Sequence, residues 1–268
     1  MKNGFITLAC VVIFEFLFTS CATVPITGRS QLNLVSNKDI LKLSADQYKE
    51  VVSTSRLSDD SVQVQMLRRV GTRIQHAVEK YMNDNGYASS LEGFEWEFNL
   101  IDNDSVVNAW AMPGGKVAFY TGIMPLCKDE KGVAVVMGHE VAHAIANHGR
   151  ERMSQGLALN LGLGSLSMAM GQNPSMTEQI FMQSVGMSSQ LGMLAYGRKQ
   201  ESEADEIGLI FMAMAGYDPH EAPIFWVRMS EKTGGQQPPE WLSTHPSHER
   251  RIEDLNENMA EAMTYYKK

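Results

Sequence analysis

The strongest chemical signal in this chain is a pair of histidines four residues apart with a glutamate directly after the first: His139-Glu140-Val141-Ala142-His143. On a helix, residues i and i+4 share a face one turn apart, so both imidazoles reach one point beside it. Two neutral imidazole nitrogens so placed suit a zinc ion, which they bind at about 2.0–2.1 Å. Glu140 then projects beside the metal without occupying a coordination position, where it can take a proton from an attacking water. The pentapeptide also arises by chance on surface helices, and a catalytic zinc needs a third protein ligand. Glu201-Ser202-Glu203-Ala204-Asp205 offers one. Glu201 and Asp205 are again four apart, so one carboxylate can bind metal while the other accepts a hydrogen bond from a ligating histidine. Glu203 points about 200° round the helix from Glu201 and is expected to lie outside the site. Taken alone, this acidic stretch reads better as a solvated helix face.

These residues need two helices to carry them. The spacing of Val133, Val136, Met137, Val141, Ala144 and Ile145 predicts a helix over Val133–His148, and a second helical run covers Lys199–Met214. Ahead of them, Asp39 to about Tyr81 reads as helical, with Val62, Met66, Val70, Ile74 and Val78 as one apolar stripe, and Asn83-Asp84-Asn85-Gly86 ends it. A strand-rich section follows. Phe94, Trp96 and Phe98 alternate with glutamates, and the short runs Val106–Ala111 and Lys116–Tyr120 flank the turn Pro113-Gly114-Gly115. Three short strands make a small sheet. The stretch Ser154–Tyr196 is rich in Gly and Met; it reads as a helix–loop–helix with Met filling core gaps, or as an adaptable flap or membrane-facing surface over the site. The fold class expected is α+β, mainly helical, with a small mixed β-sheet next to the 139–143 helix.

The N-terminus speaks to location. Lys2 precedes an apolar run, Phe5–Phe18, too short for a comfortable membrane span, so residues 1–20 read as a signal peptide. The run ends in Phe18-Thr19-Ser20-Cys21, which resembles a bacterial lipobox with Cys21 as the lipidated residue; an ordinary signal cleaved near Ser20 or Ala22 is the alternative. Residues 21–39 then serve as a tether and 40–268 as the working domain. Cys10 leaves with the signal, so Cys127 has no partner for a disulfide and reads as a small buried apolar residue. The net charge of −8, without any Lys/Arg run, argues against a nucleic-acid partner.

Four stretches together narrow the family. Asn108-Ala109-Trp110-Ala111-Met112-Pro113-Gly114-Gly115, His139–His143, Tyr196-Gly197-Arg198 leading into Glu201–Asp205, and Thr244-His245-Pro246 with Arg250-Arg251-Ile252 span most of the chain in order. This set resembles the gluzincin peptidases, and more narrowly the HtpX and CAAX prenyl protease type, in its bacterial periplasmic lipoprotein branch. The resemblance implies one zinc held by His139, His143 and Glu201, Glu140 as general base, Asp205 as the supporting carboxylate, and endopeptidase activity in the cell envelope. His245 and Arg198 are candidates to stabilise the oxyanion; His245 has two rival roles, a latency ligand on zinc or a turn residue before Pro246. His76, His148, His220 and His248 are left as surface or structural residues. Substrate protein is expected in extended form, adding to a sheet edge beside the active helix. The expected setting is a lipid-anchored, periplasm-facing protein of the outer membrane acting on misfolded or misassembled envelope proteins. A chaperone-like lipoprotein with little proteolysis and a purely structural zinc site are the rivals. Oligomeric state is not legible in the sequence.

Overall fold

The computed structural model describes residues 21–161, 174–187, 197–232, 245 and 250–267. Strands β1 (Cys21–Thr23) and β2 (Ser30–Leu32) are followed by helices α1 (Asn37–Thr54) and α2 (Ser61–Asp84). Then come strands β3 (Glu97–Ile101), β4 (Ala109–Met112) and β5 (Lys116–Tyr120). The helices after the sheet are α3 (Glu130–Ile145), α4 (His148–Leu161), α5 (Pro174–Ser184), α6 (Arg198–Met214), α7 (Glu221–Lys232) and α8 (Arg251–Tyr265). The fold is thus mainly helical with a small mixed sheet. Among the described residues no helix is long and apolar enough to cross a membrane.

The sheet has the order β3-β5-β4, with β5 parallel to β3 and antiparallel to β4. Pro113-Gly114-Gly115 turns the chain between β4 and β5; Gly114 and Gly115 have φ of 86° and 81°, a region glycine enters without a Cβ penalty. Alternation along the strands divides the core. Ala109, Ala111, Val117 and Phe119 join the main cluster with α2 and α3, while Trp110, Met112 and Ala118 join a second cluster with residues of α1, α4 and α5. Because helices cover both faces, β4 is buried at every position rather than at every second one. The aromatic alternation of Phe94, Trp96 and Phe98 begins ahead of the strand itself. Phe94 and Trp96 precede β3, their rings 5.4 Å apart, with Trp96 stacked on Phe98 at 6.2 Å.

Helix α3 runs through the middle of the molecule. Asp129 caps it by accepting hydrogen bonds from the Lys131 and Gly132 amides, and every residue from Gly132 to Ile145 is buried. It crosses α6 at two glycines. A Cβ on Gly138 would stand 2.8 Å from the Gly208 carbonyl oxygen, and one on Gly208 would stand 3.0 Å from the His139 nitrogen. Gly208 lies on the same face of α6 as Glu201 and Asp205, so this backbone contact sets how near the carboxylates come to the histidines.

Three expectations change. The helical run from Asp39 to Tyr81 is two helices, broken over residues 55–60 and restarted by the Asp60 cap, whose side chain accepts from the Val62 and Gln63 amides. Val62, expected in the buried stripe, is 74% exposed, because the first turn of α2 projects past the core that Leu67, Val70, Ile74 and Val78 enter. The spacer expected after Cys21 carries ordered structure: β1 and β2 pair as a hairpin, Val24 is buried in the main core, and the chain at Leu34 and Val35 is fastened to α4 by Ser154 and Arg150. The Gly/Met-rich stretch is described only in part. Met153, Leu157, Ile180 and Phe181 pack in the second cluster, as a helix–loop–helix would have them, and the flap reading falls on residues 162–173 and 188–196, outside the described residues.

Candidate metal centre

Helix α3 presents His139 and His143 on one face with their rings 4.7 Å apart, α6 brings Glu201 against them, and His245 completes the group. One ligand-type atom from each of the four lies within 4.8 Å of every other, and all four side chains are buried. The edges of this group test whether zinc fits. His139 Nε2 is 3.1 Å from His143 Nε2 and 3.6 Å from Glu201 Oε2; His143 Nε2 is 3.5 Å from Glu201 Oε1. His245 Nδ1 is 3.2 Å from His139 Nε2 and 3.2 Å from Glu201 Oε1. A tetrahedron with metal–ligand bonds of about 2.05 Å has ligand–ligand edges of about 3.3 Å. Five of the six pairs, taken to one or the other Glu201 oxygen, lie at 3.1–3.6 Å, so the donor set suits a four-coordinate zinc in chemistry and in overall spacing.

Partners behind the ligands fix their orientation. His139 donates through Nδ1 to Asp205 Oδ1 at 2.9 Å, which leaves its Nε2 lone pair facing the cluster. Arg251, 1% exposed, ties the carboxylates together: Nη1 donates to Glu201 Oε2 at 2.8 Å and Nη2 to Asp205 Oδ1 at 2.7 Å. Its guanidinium lies 3.4 Å above the Trp226 ring, a cation–π contact that replaces lost hydration. Burial pushes the Glu201 carboxyl up, but His245 and Arg251 outweigh it and hold it well below the usual carboxylate range. Burial holds His143 well below the ordinary imidazole value, so it is neutral and competent as a ligand.

On the other side His143 Nδ1 is 2.8 Å from His148 Nδ1, and His148 Nε2 is 2.8 Å from Glu203 Oε2. His148, left in the sequence as surface or structural, is fully buried, and burial lowers its pKa. Glu203 does face away from the four-residue cluster, but it is buried against His148 and not solvated. Burial pushes its carboxyl up, and hydrogen bonds from His148, Thr27 and Arg29 more than offset this, bringing it down to about 2.

Glu140 is 2% exposed, and its Oε1 lies 3.4 Å from His245 Nε2. It stands next to the group without being one of the four donors, the place a proton acceptor needs. Arg198, expected beside the oxyanion, is exposed in the first turn of α6; the arginine buried against the cluster is Arg251. His76 is exposed, His220 pairs with Asp218 at the surface, and His248 lies outside the described residues. Cys127 is buried, and burial raises its thiol pKa to about 12, far from a nucleophile. Cys21 opens β1. Sequence reasoning missed Arg251 as a clamp, His148 as a partner of His143, and Arg29 behind Glu203. The Arg250-Arg251 pair was visible only as part of a motif.

The family model for peptidase family M48 matches residues 69–259. Over 251 residues the chain is 32% identical to a mitochondrial metalloendopeptidase OMA1 of Schizosaccharomyces pombe, spanning 92% of this chain and 69% of that protein. The human mitochondrial metalloendopeptidase OMA1 is 30% identical over 257 residues, 92% of this chain and 48% of the relative. A beta-barrel assembly-enhancing protease of Escherichia coli is 27% identical over 241 residues, 88% of this chain and 47% of the relative. The chain thus spans about half the length of the human and bacterial relatives.

Proposed function

The chain belongs to peptidase family M48 and is a zinc metalloendopeptidase, and we propose that it cuts misfolded or misassembled proteins of a bacterial cell envelope, to which a lipid on Cys21 anchors it. The observation that carries the chemistry is the buried, zinc-sized cluster of His139, His143, Glu201 and His245 with Glu140 beside it. The envelope reading draws support from the signal-like run ending at Cys21 and from the likeness to the bacterial protease named for β-barrel assembly. The relatives named OMA1 are mitochondrial by name, so the lipoprotein branch of the family is carried by the N-terminal sequence alone.

Zinc held by His139, His143 and Glu201 supplies Lewis acidity, polarising a scissile carbonyl and lowering the pKa of a water. Glu140 accepts the proton of the attacking water and returns it to the departing amine. Asp205 and Arg251 keep His139 and Glu201 aimed. His245, 3.2 Å from both His139 Nε2 and Glu201 Oε1, would take the place a catalytic zinc keeps for water, and in this reading the site would work once His245 withdraws.

Casein cleavage by the purified full-length chain, with zinc content measured, tests the reading. Glu140→Gln is expected to lower cutting about 10²–10⁴-fold with one zinc retained. His245→Ala is expected to raise it. Equal cutting by Glu140→Gln, or no cutting by the zinc-loaded wild type and His245→Ala alike, overturns the enzyme reading, and cutting lost in His245→Ala alone overturns only the closed-state role of His245; suppression of client aggregation without any cutting favours the binding lipoprotein. Cys21→Ser is expected to release the protein from membranes, and retention there overturns the anchor.

A further inference from the structure

The two ligand histidines of α3 are backed differently, and only one backing follows from spacing within a helix. We propose that His148, Glu203 and Arg29 form a positioning relay that fixes the ring of His143 for metal, making the N-terminal hairpin a working part of the centre. This rests on the reading of His143 as a zinc ligand.

The hydrogen-bond network assigns each proton. Glu203, an ionised carboxylate, only accepts, so His148 Nε2 carries the hydrogen of their 2.8 Å bond. A neutral His148 then has a bare Nδ1, which accepts from His143 Nδ1–H at 2.8 Å. His143 is left with its lone pair on Nε2, the atom 3.1 Å from His139 Nε2 at the metal position. Reversing the bond between the two rings would need a doubly protonated His148 in a fully buried place and would move the His143 hydrogen to Nε2, where the metal is to bind.

Glu203 is held in turn by the hairpin. Arg29 Nε donates to Glu203 Oε2 at 2.7 Å, and the Thr27 hydroxyl donates to Oε1. The rest of the Arg29 guanidinium grips Glu151 with two bonds of 2.9 Å, and Gln200 donates to the same carboxylate at 2.7 Å. A bidentate arginine is fixed in direction as well as place, which suits it to hold a carboxylate rather than merely neutralise it. Arg29 stands eight residues after Cys21 (29 − 21 = 8). The proposed anchor and the ligand are thus joined by one hairpin and three side chains.

The test uses the full chain and reads metal rather than turnover: the Zn²⁺ dissociation constant by chelator competition, and the visible spectrum of the Co²⁺-substituted protein. Loss of a partner behind a ligating histidine typically weakens metal binding about 10–100-fold. His148→Phe is expected to show that loss with a shifted cobalt spectrum. His148→Asn, whose carbonyl can sit where Nδ1 accepts, is expected to recover most of the affinity. Arg29→Gln is expected to weaken zinc by about tenfold or less in the native background and not at all beside His148→Asn, since both act on one chain of bonds. Wild-type affinity and an unchanged spectrum in His148→Phe overturn the relay, as does an equal Arg29→Gln loss in both backgrounds. Should His148→Phe fail to fold, the Arg29→Gln and His148→Asn pair decides. If His143→Ala still holds one zinc at native affinity, the ligand reading fails and the relay with it.

Discussion

His139 and His143 sit one turn apart on the same helix, yet the regions behind them are built on opposite principles. Behind His139 stand charges: Asp205 accepts its Nδ1–H, and Arg251 binds Asp205 and Glu201 together. Behind His143 stands a neutral imidazole, with the charges displaced to Glu203, Arg29 and Glu151. A carboxylate behind a ligand raises its basicity as well as aiming it, whereas a neutral imidazole aims it with little added charge. The centre thereby avoids stacking further carboxylates behind Glu201, where each would need its own buried cation.

The sharpest way to break this contrast is Arg251→Met. It leaves Glu201 and Asp205 buried without their cation, and is expected to cost about 3–5 kcal/mol of stability by urea unfolding of the metal-free protein. A loss of under 1 kcal/mol would mean that the His139 side does not depend on that charge. Next is Asp205→Asn, expected to weaken Zn²⁺ binding about 10–100-fold in chelator competition; unchanged affinity would mean that the carboxylate behind His139 does not support metal binding.

The remaining effect lies in pH and belongs to the His143 side. His143 and His148 are held below their ordinary 6.5 in the folded chain, so the unfolded chain binds more protons there. Their contribution to stability is complete above about 6.5 and is lost as pH falls below it, by up to about 1.4 kcal/mol per pH unit for each proton. Glu203, lowered to about 2, adds a loss that starts near 4.5 and is complete near 2. Thermal unfolding of the metal-free protein at stepped pH is expected to show both stages, and His148→Asn to flatten the first. An unaltered first stage in that variant would show that His148 does not titrate on unfolding.

What could be read in the sequence was local. His139 with His143, and Glu201 with Asp205, declare themselves through four-residue spacing because a helix repeats within a few residues. The sheet was readable from alternation and from the Pro113-Gly114-Gly115 turn. His148 was hidden by a helix expected to continue through it. At five residues of separation on an unbroken helix it would point about 140° away from His143. The chain instead stops at Ala146, and Asn147 takes a left-handed φ of 58°. That one residue ends α3 and swings His148 behind His143, and asparagine is among the few side chains that enter this region readily. Arg29 and Arg251 were beyond reach for another reason. Their partners lie 122 and 174 residues away in one case, 50 and 46 in the other, and no periodicity links residues so distant.

Those separations also set a clock. The four residues of the cluster stretch from position 139 to 245, and the arginine that clamps Glu201 and Asp205 comes at 251. Long-range contacts of this kind form only after the intervening segments are available. A chain still emerging from the ribosome holds the imidazoles and carboxylates before it holds the arginine that fixes them. Until residue 251 has arrived, Glu201 and Asp205 lack the cation that holds them in the finished protein.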